Sequence, residues 1–144
     1  HLFTTGANPV SCEAALATLE MIEEEQLLEA SLEKGDYVRQ TMDRWITDYE
    51  CIGDVRGKGL SIGIDIVSDP IQKTRDPEAA LKICNYCFDK GVVIIAVAGN
   101  VLRFQPPLVI SYDQLDYALS TLEKAIQALN RGDLDQYEIE GQGW

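Results

Sequence analysis

Lysine and arginine are scarce in this sequence and nowhere clustered. Twelve of them stand against 24 Asp and Glu, for a formal net charge of −12. Gripping a nucleic-acid backbone requires gathered cations, so that class of partner is excluded. Long apolar runs are missing as well. The longest, Val92 to Ala98, is far too short to cross a bilayer, and the N-terminal residues lack the basic–apolar–small pattern of a signal peptide. A cytoplasmic protein without membrane contact is therefore expected. The single histidine is His1, which leaves no His-based catalytic triad and no imidazole pair for zinc. A phosphate loop of the GxxxxGK[ST] type is absent too. Cys84 and Cys87 form a CxxC, yet they fall on an apolar stripe with Ala80, Ile83 and Phe88. Zinc would need two further ligands, so both cysteines, like Cys12 and Cys51, are expected to be free of metal, and the helical pair buried.

What is present has the balance of a soluble globular domain, 46% hydrophobic and 25% charged. Acidic runs at Glu20–Glu33 and Asp133–Glu140 read as a solvated helix face and a solvated tail. Asn8 to about Glu24 has helical spacing, with Val10, Ala14, Ala17 and Met21 on one side and Leu16 and Leu19 beside it. A second helix carries Leu28, Leu32, Gly35, Val38, Met42, Trp45 and Tyr49 at alternating steps of three and four. Cys51–Arg56 and Leu60–Val67 read as strands, the latter with Leu60, Ile62, Ile64 and Ile66 on one face. Residues 68–76 read as a polar loop, and Pro77 opens a helix that Gly91 closes. Val92–Ala98 has the composition of a buried strand, turned by Gly99-Asn100 into Val101–Phe104. Ser111 to Gln114 has capping-box spacing and opens a last helix, with Leu115, Leu119, Leu122 and Ile126 inward. The order α-α-β-β-α-β-β-α predicts an α+β fold, one small sheet covered by helices. Residues 1–26 are read as a leading loop and helix, 27–131 as the small α+β domain, and 132–144 as a flexible tail.

Three places carry candidate chemistry. Thr4 and Thr5 stand just before a helix start that Asn8 caps and Pro9 opens, an arrangement suited to an anion such as phosphate. Such a loop at the very start of the chain is expected to mark a piece of something longer. Gly57-x-Gly59-x-x-x-Gly63 has the wrong spacing for a dinucleotide loop and reads as a strand break. Arg103 lies in an apolar strand ended by Pro106-Pro107. Its guanidinium requires a carboxylate or phosphate, either an internal Asp or Glu or a ligand, and composition favours the internal pair. Arg56 poses the same question, and Asp54 is near enough to answer it.

Three segments together resemble the C-terminal part of the class III, or omega, pyridoxal-phosphate-dependent aminotransferases. They are Phe3-Thr4-Thr5-Gly6-Ala7-Asn8-Pro9 with Cys12-Glu13-Ala14-Ala15-Leu16, then Gly53-Asp54-Val55-Arg56-Gly57-Lys58-Gly59-Leu60 leading to Gly63-Ile64-Asp65, and Gly91-Val92 with Asn100-Val101-Leu102-Arg103-Phe104-Gln105-Pro106-Pro107-Leu108. The likeness runs from residue 1 to about 130 and is nearest to the 4-aminobutyrate, ornithine and diaminobutyrate type. It implies that the first helix belongs to a large cofactor domain and that Thr4, with Thr5 beside it, meets the phosphate of pyridoxal 5'-phosphate across a homodimer interface. It implies too that Arg103 holds a substrate carboxylate. The implied reaction passes an amino group from an amine or omega-amino acid to a 2-oxo acid. The family's Schiff-base lysine precedes this region, and no lysine here sits in a cofactor motif, so this chain alone is expected to be inert, with no catalytic residue of its own. The rival reading is a stand-alone, non-catalytic ligand-binding or dimerising α+β module.

Overall fold

The computed structural model describes residues 8–137. Helices α1 (Pro9–Glu24) and α2 (Leu27–Asp48) lead into a hairpin of β1 (Ile52–Lys58) and β2 (Ser61–Asp69). A two-residue strand β3 (Thr74–Arg75) and helix α3 (Pro77–Asp89) follow. The hairpin β4 (Ile95–Val97) and β5 (Val101–Phe104) then precede α4 (Tyr112–Arg131) and a short 3-10 turn at Asp135–Tyr137. All pairings are antiparallel, in the order β1-β2-β5-β4, with β3 attached to β2. The expected α+β architecture is thus the observed one.

Alternation along the strands places the core. Ile62, Ile64 and Ile66 of β2 and Leu102 and Phe104 of β5 point into a cluster with Val38, Met42 and Trp45 of α2, Ile83 and Cys87 of α3, and Leu115, Leu122 and Ile126 of α4. The helices that supply these partners cover one face of the sheet only. The opposite face carries Asp54, Arg56, Gly63, Asp65, Val101 and Arg103, because successive strand residues point to opposite sides.

The Gly57–Gly59 turn is structural. Gly59 has φ 55°, and it lies so close to α2 that a Cβ built on Gly35 would come within 2.5 Å of its carbonyl carbon and oxygen. The helix stripe reaches Gly35 where the hairpin turn crosses it. Ser31 completes the junction by accepting from the Leu60 N–H at 3.3 Å.

Four expectations need adjustment. The segment 68–76 is not all loop: Asp69 Oδ1 accepts from the N–H groups of Ile71 and Gln72, turning the chain so that β3 pairs with β2. The run Val92–Ala98 is not a buried strand. Only three of its residues pair, on the edge of the sheet, and Val93 and Ile95 are exposed because nothing beyond β4 covers them among the described residues. Leu28 and Leu32, which the helical stripe groups with Val38, Met42 and Trp45, are exposed, and α1 buries no residue. Beyond Gly132, Leu134 is 2% exposed and Tyr137 meets the Tyr86 ring edge-on at 5.9 Å. The lost periodicity there marks the end of a helix, not the end of packing. Residues 138–144 of the expected tail lie outside the described ones.

Gly35→Ala is expected to force α2 off the hairpin turn and destabilise the fold by about 1–3 kcal/mol, the usual cost of overpacking. The check is a lowered denaturation midpoint, with Gly91→Ala, where a Cβ meets nothing within 4 Å and only the positive φ of 77° is strained, as the milder comparison.

Candidate functional site

Register decides what stands beside what on the open face. Arg56 is opposite Gly63, Gly63 opposite Arg103, and Arg103 opposite Ile95. The next row runs Asp54, Asp65, Val101, Val97. Two aspartates directly across a strand pair repel each other. Arg56 resolves this: its Nη1 donates to Asp54 Oδ2 at 3.1 Å and to Asp65 Oδ2 at 2.6 Å, while Nη2 donates to Asp65 Oδ1 at 3.0 Å. The hydrogen bonds to Asp65, then those to Asp54, push the Arg56 pKa up, so its charge is permanent and locally cancelled. Arg56 is structural, as its sequence context indicated, though its main partner is the distant Asp65 and not Asp54.

Arg103 has a different neighbourhood. Among the described residues its side chain makes one hydrogen bond, from Nε to the uncharged Gln105 Oε1 at 2.7 Å, and no ion pair. The internal carboxylate that composition favoured is not found among the described residues. Its position is set by the β4–β5 hairpin. Ala98 and Gly99 take φ values of 51° and 91°, and the buried Asn100 donates from Nδ2 to the Ile66 carbonyl at 2.9 Å. The Ile66 N–H in turn donates to the Asn100 carbonyl at 2.9 Å. This two-way clamp locks β5 to β2 just before Arg103.

Arg103 stands on an open cleft of about 700 Å³ between β4, β5, the 105–110 segment and the first turns of α4. Its walls are mainly apolar, including Val92, Ile95, Phe104, Val109 and Ile110, and Arg103 is the one charged residue among those lining it. Of the polar side chains there, Gln114 is spent on the capping box with Ser111, and the Tyr117 hydroxyl donates to the Lys90 carbonyl at 2.8 Å. Arg103 and Gln105 remain as the groups facing the cleft with donors to spare. Sequence reading missed Gln105, whose only signal is its place two residues after an arginine, just beyond the end of the strand.

The described residues do not by themselves fit a covalently held cofactor. No lysine lines the cleft. Lys34 donates to the Leu108 carbonyl at 3.2 Å, Lys73 to the Gly53 carbonyl, and Lys82 pairs with Glu78 at 2.8 Å, which raises its pKa and suppresses nucleophilicity. Asn8 caps α1 as expected, accepting from Val10 N–H at 3.0 Å and Ser11 N–H at 3.4 Å, so two amides of that turn are already used. Thr4 and Thr5 lie outside the described residues. No group of three or more His, Cys, Asp or Glu is disposed to hold a metal among the described residues, and no helix there is long and apolar enough to cross a membrane. Cys84 and Cys87 are buried in the core, as their stripe indicated.

The family model of the class III aminotransferases matches residues 1–126. Isoleucine 2-epimerase of Lentilactobacillus buchneri is 48% identical over 145 residues, covering 100% of this chain and 32% of that protein. Leucine/methionine racemase of Thermococcus litoralis is 43% identical over 132 residues, covering 92% of this chain and 30% of its own. A solved amine transaminase from an uncultivated Pseudomonas species, in its PLP-bound form, matches with a TM-score of 0.83 and 32% identity over 88% of this chain and 29% of its own. The chain spans about a third of the length of the curated relatives it matches.

Burial pushes the thiols of Cys51 and Cys84 up to about 11 and that of Cys87 up to about 12. A raised thiol pKa means less thiolate, the reactive form, at any lower pH. At pH 8 an alkylating reagent is therefore expected to mark exposed Cys12 promptly and the other three only after unfolding, as read by intact mass. Rapid native labelling of Cys84 or Cys87 would show that the pair is a reactive site.

Proposed function

The chain belongs to the class III aminotransferase family, and on that footing we propose that it forms the carboxylate-binding wall of a pyridoxal-phosphate-dependent transaminase. The family match over residues 1–126 carries the proposal. The reaction moves an amino group from an amine or omega-amino acid to a 2-oxo acid. Pyridoxal phosphate, held by the remainder of the enzyme, supplies the electron sink for chemistry at the amino-bearing carbon. Arg103 binds the substrate carboxylate as the one charged residue on a mainly apolar cleft wall. Thr4, with Thr5 beside it, contacts the cofactor phosphate of the neighbouring subunit of a cytoplasmic homodimer, and residues 1–26 belong to the large domain. The open apolar side of α1, with Val10, Leu16, Leu19 and Met21 exposed, supports that last placement. The narrower assignment is to the 4-aminobutyrate, ornithine and diaminobutyrate type.

A second reading has a specific observation behind it. The 48% identity to an isoleucine 2-epimerase supports inversion at the amino-bearing carbon of an apolar amino acid instead of amino transfer. An uncharged cleft wall around one arginine suits such a substrate. The two are separated by incubating the full-length enzyme with cofactor and L-isoleucine or 4-aminobutyrate in deuterated water. Transamination consumes an added 2-oxo acid in step with the donor. Epimerisation needs no 2-oxo acid and yields the 2-epimer deuterated at that carbon.

In either reaction Arg103→Lys keeps the charge and loses the bidentate fork. Its kcat/KM for carboxylate-bearing substrates is expected to fall by roughly 10- to 150-fold, the equivalent of about 1.5–3 kcal/mol for a charged hydrogen-bond pair. Stability should change little, because the side chain is exposed. Normal kinetics with a collapsed melting temperature would make the arginine structural.

A further inference from the structure

We propose that Gln105 is a positioning residue for Arg103, holding Nε so that both Nη groups are kept as an end-on fork for a substrate carboxylate. The inference rests on the reading of Arg103 as the carboxylate ligand. A guanidinium can meet a carboxylate side-on, through Nε and one Nη, or end-on through both Nη groups, and it has five N–H donors to share. In this structure Nε is already given to Gln105 Oε1 at 2.7 Å. The side-on edge is thereby occupied and the end-on edge left free. Among the described residues neither Nη of Arg103, nor Nε2 of Gln105, has a hydrogen-bond partner.

Geometry makes the contact durable. Gln105 is the first residue beyond β5, where the chain leaves the sheet, and its side chain turns back to meet that of Arg103. Buried Phe104 anchors the backbone between them, and Pro106-Pro107 restricts it immediately after. Both side chains line the cleft.

The partner's neutrality matters as much as its position. Two rows of strands away on the same face, Arg56 shows what carboxylate partners do: Asp65 and Asp54 absorb its donors and cancel its charge. An amide orients the guanidinium and leaves the charge for the ligand. Gln105→Glu would convert Arg103 into a second Arg56.

The test uses the full-length enzyme carrying Gln105→Ala, Gln105→Met, Gln105→Glu, Arg103→Lys, and the Arg103→Lys/Gln105→Ala double variant. Steady-state KM and kcat are measured with a carboxylate-bearing substrate. Ala and Met, both lacking the amide acceptor, should raise KM by roughly 3- to 10-fold, the scale of one ordinary hydrogen bond because the effect on the carboxylate is indirect, with a smaller change in kcat. Glu should raise it further, by tenfold or more again. In the Arg103→Lys background, where there is no Nε to hold, Gln105→Ala should add less than about twofold, a coupling that a merely structural glutamine would not show. If Arg103→Lys raises KM while the three single Gln105 variants stay within twofold of the parent, or if the two residues act additively, the positioning role is overturned and the reading of Arg103 stands. If Arg103→Lys leaves KM unchanged, both fall.

Discussion

Ile64 faces Leu102 across the ladder between β2 and β5, both fully buried, while Gly63 and Arg103 face each other one residue away on the opposite side. A slip of a single residue would carry the apolar set into water and the arginine into the core. Burying an unpaired guanidinium costs several kcal/mol, and burying each isoleucine or leucine contributes about 1.5–3 kcal/mol, so the register is fixed from both faces at once. The helical layer, the cleft and the placement of Arg103 all inherit this one alignment. The Asn100 clamp on Ile66 adds a polar lock at the end of the same ladder.

Within that frame the two outward arginines divide labour by the charge of their partners. Arg56 neutralises a cross-strand aspartate pair that would otherwise push β1 from β2. Being half-exposed, it contributes modestly to stability, as surface pairs do. Arg103 sits two strands away on apolar surroundings with an amide for company. It is the one charged residue on the cleft wall, and among the described residues no carboxylate pairs with it.

Period and capping made most of the fold legible in the sequence. The α2 stripe led to buried Val38, Met42 and Trp45, the alternation in β2 to Ile62, Ile64 and Ile66, and the Ser111–Gln114 spacing to an observed capping box. Where the reading fell short, the deciding contact was remote in sequence. Strand β3 exists through pairing with β2, not through any pattern in Thr74-Arg75. The run Val92–Ala98 looks buried because composition cannot tell a central strand from an uncovered edge. Leu134 packs without periodicity because one anchored residue has no period. Of the candidate site, Arg103 was singled out by its chemistry and its family likeness, while Asp65 as the partner of Arg56 required the register and Gln105 as the partner of Arg103 required the side-chain geometry.

Helix α1 joins the rest through Gln26, a non-glycine residue at φ 51°. Sixteen residues of helix with nothing buried cannot hold their shape by propensity alone in water, since helices of that length are marginal. The chain therefore contains two regimes of order that meet at one peptide unit. C-terminal to Gln26, the helices and sheet share one buried interior. N-terminal to it, α1 buries no residue of its own. Gln26 is thus a thermodynamic watershed: covering the exposed apolar residues of α1 would add to its stability, while the core beyond Gln26 is already closed.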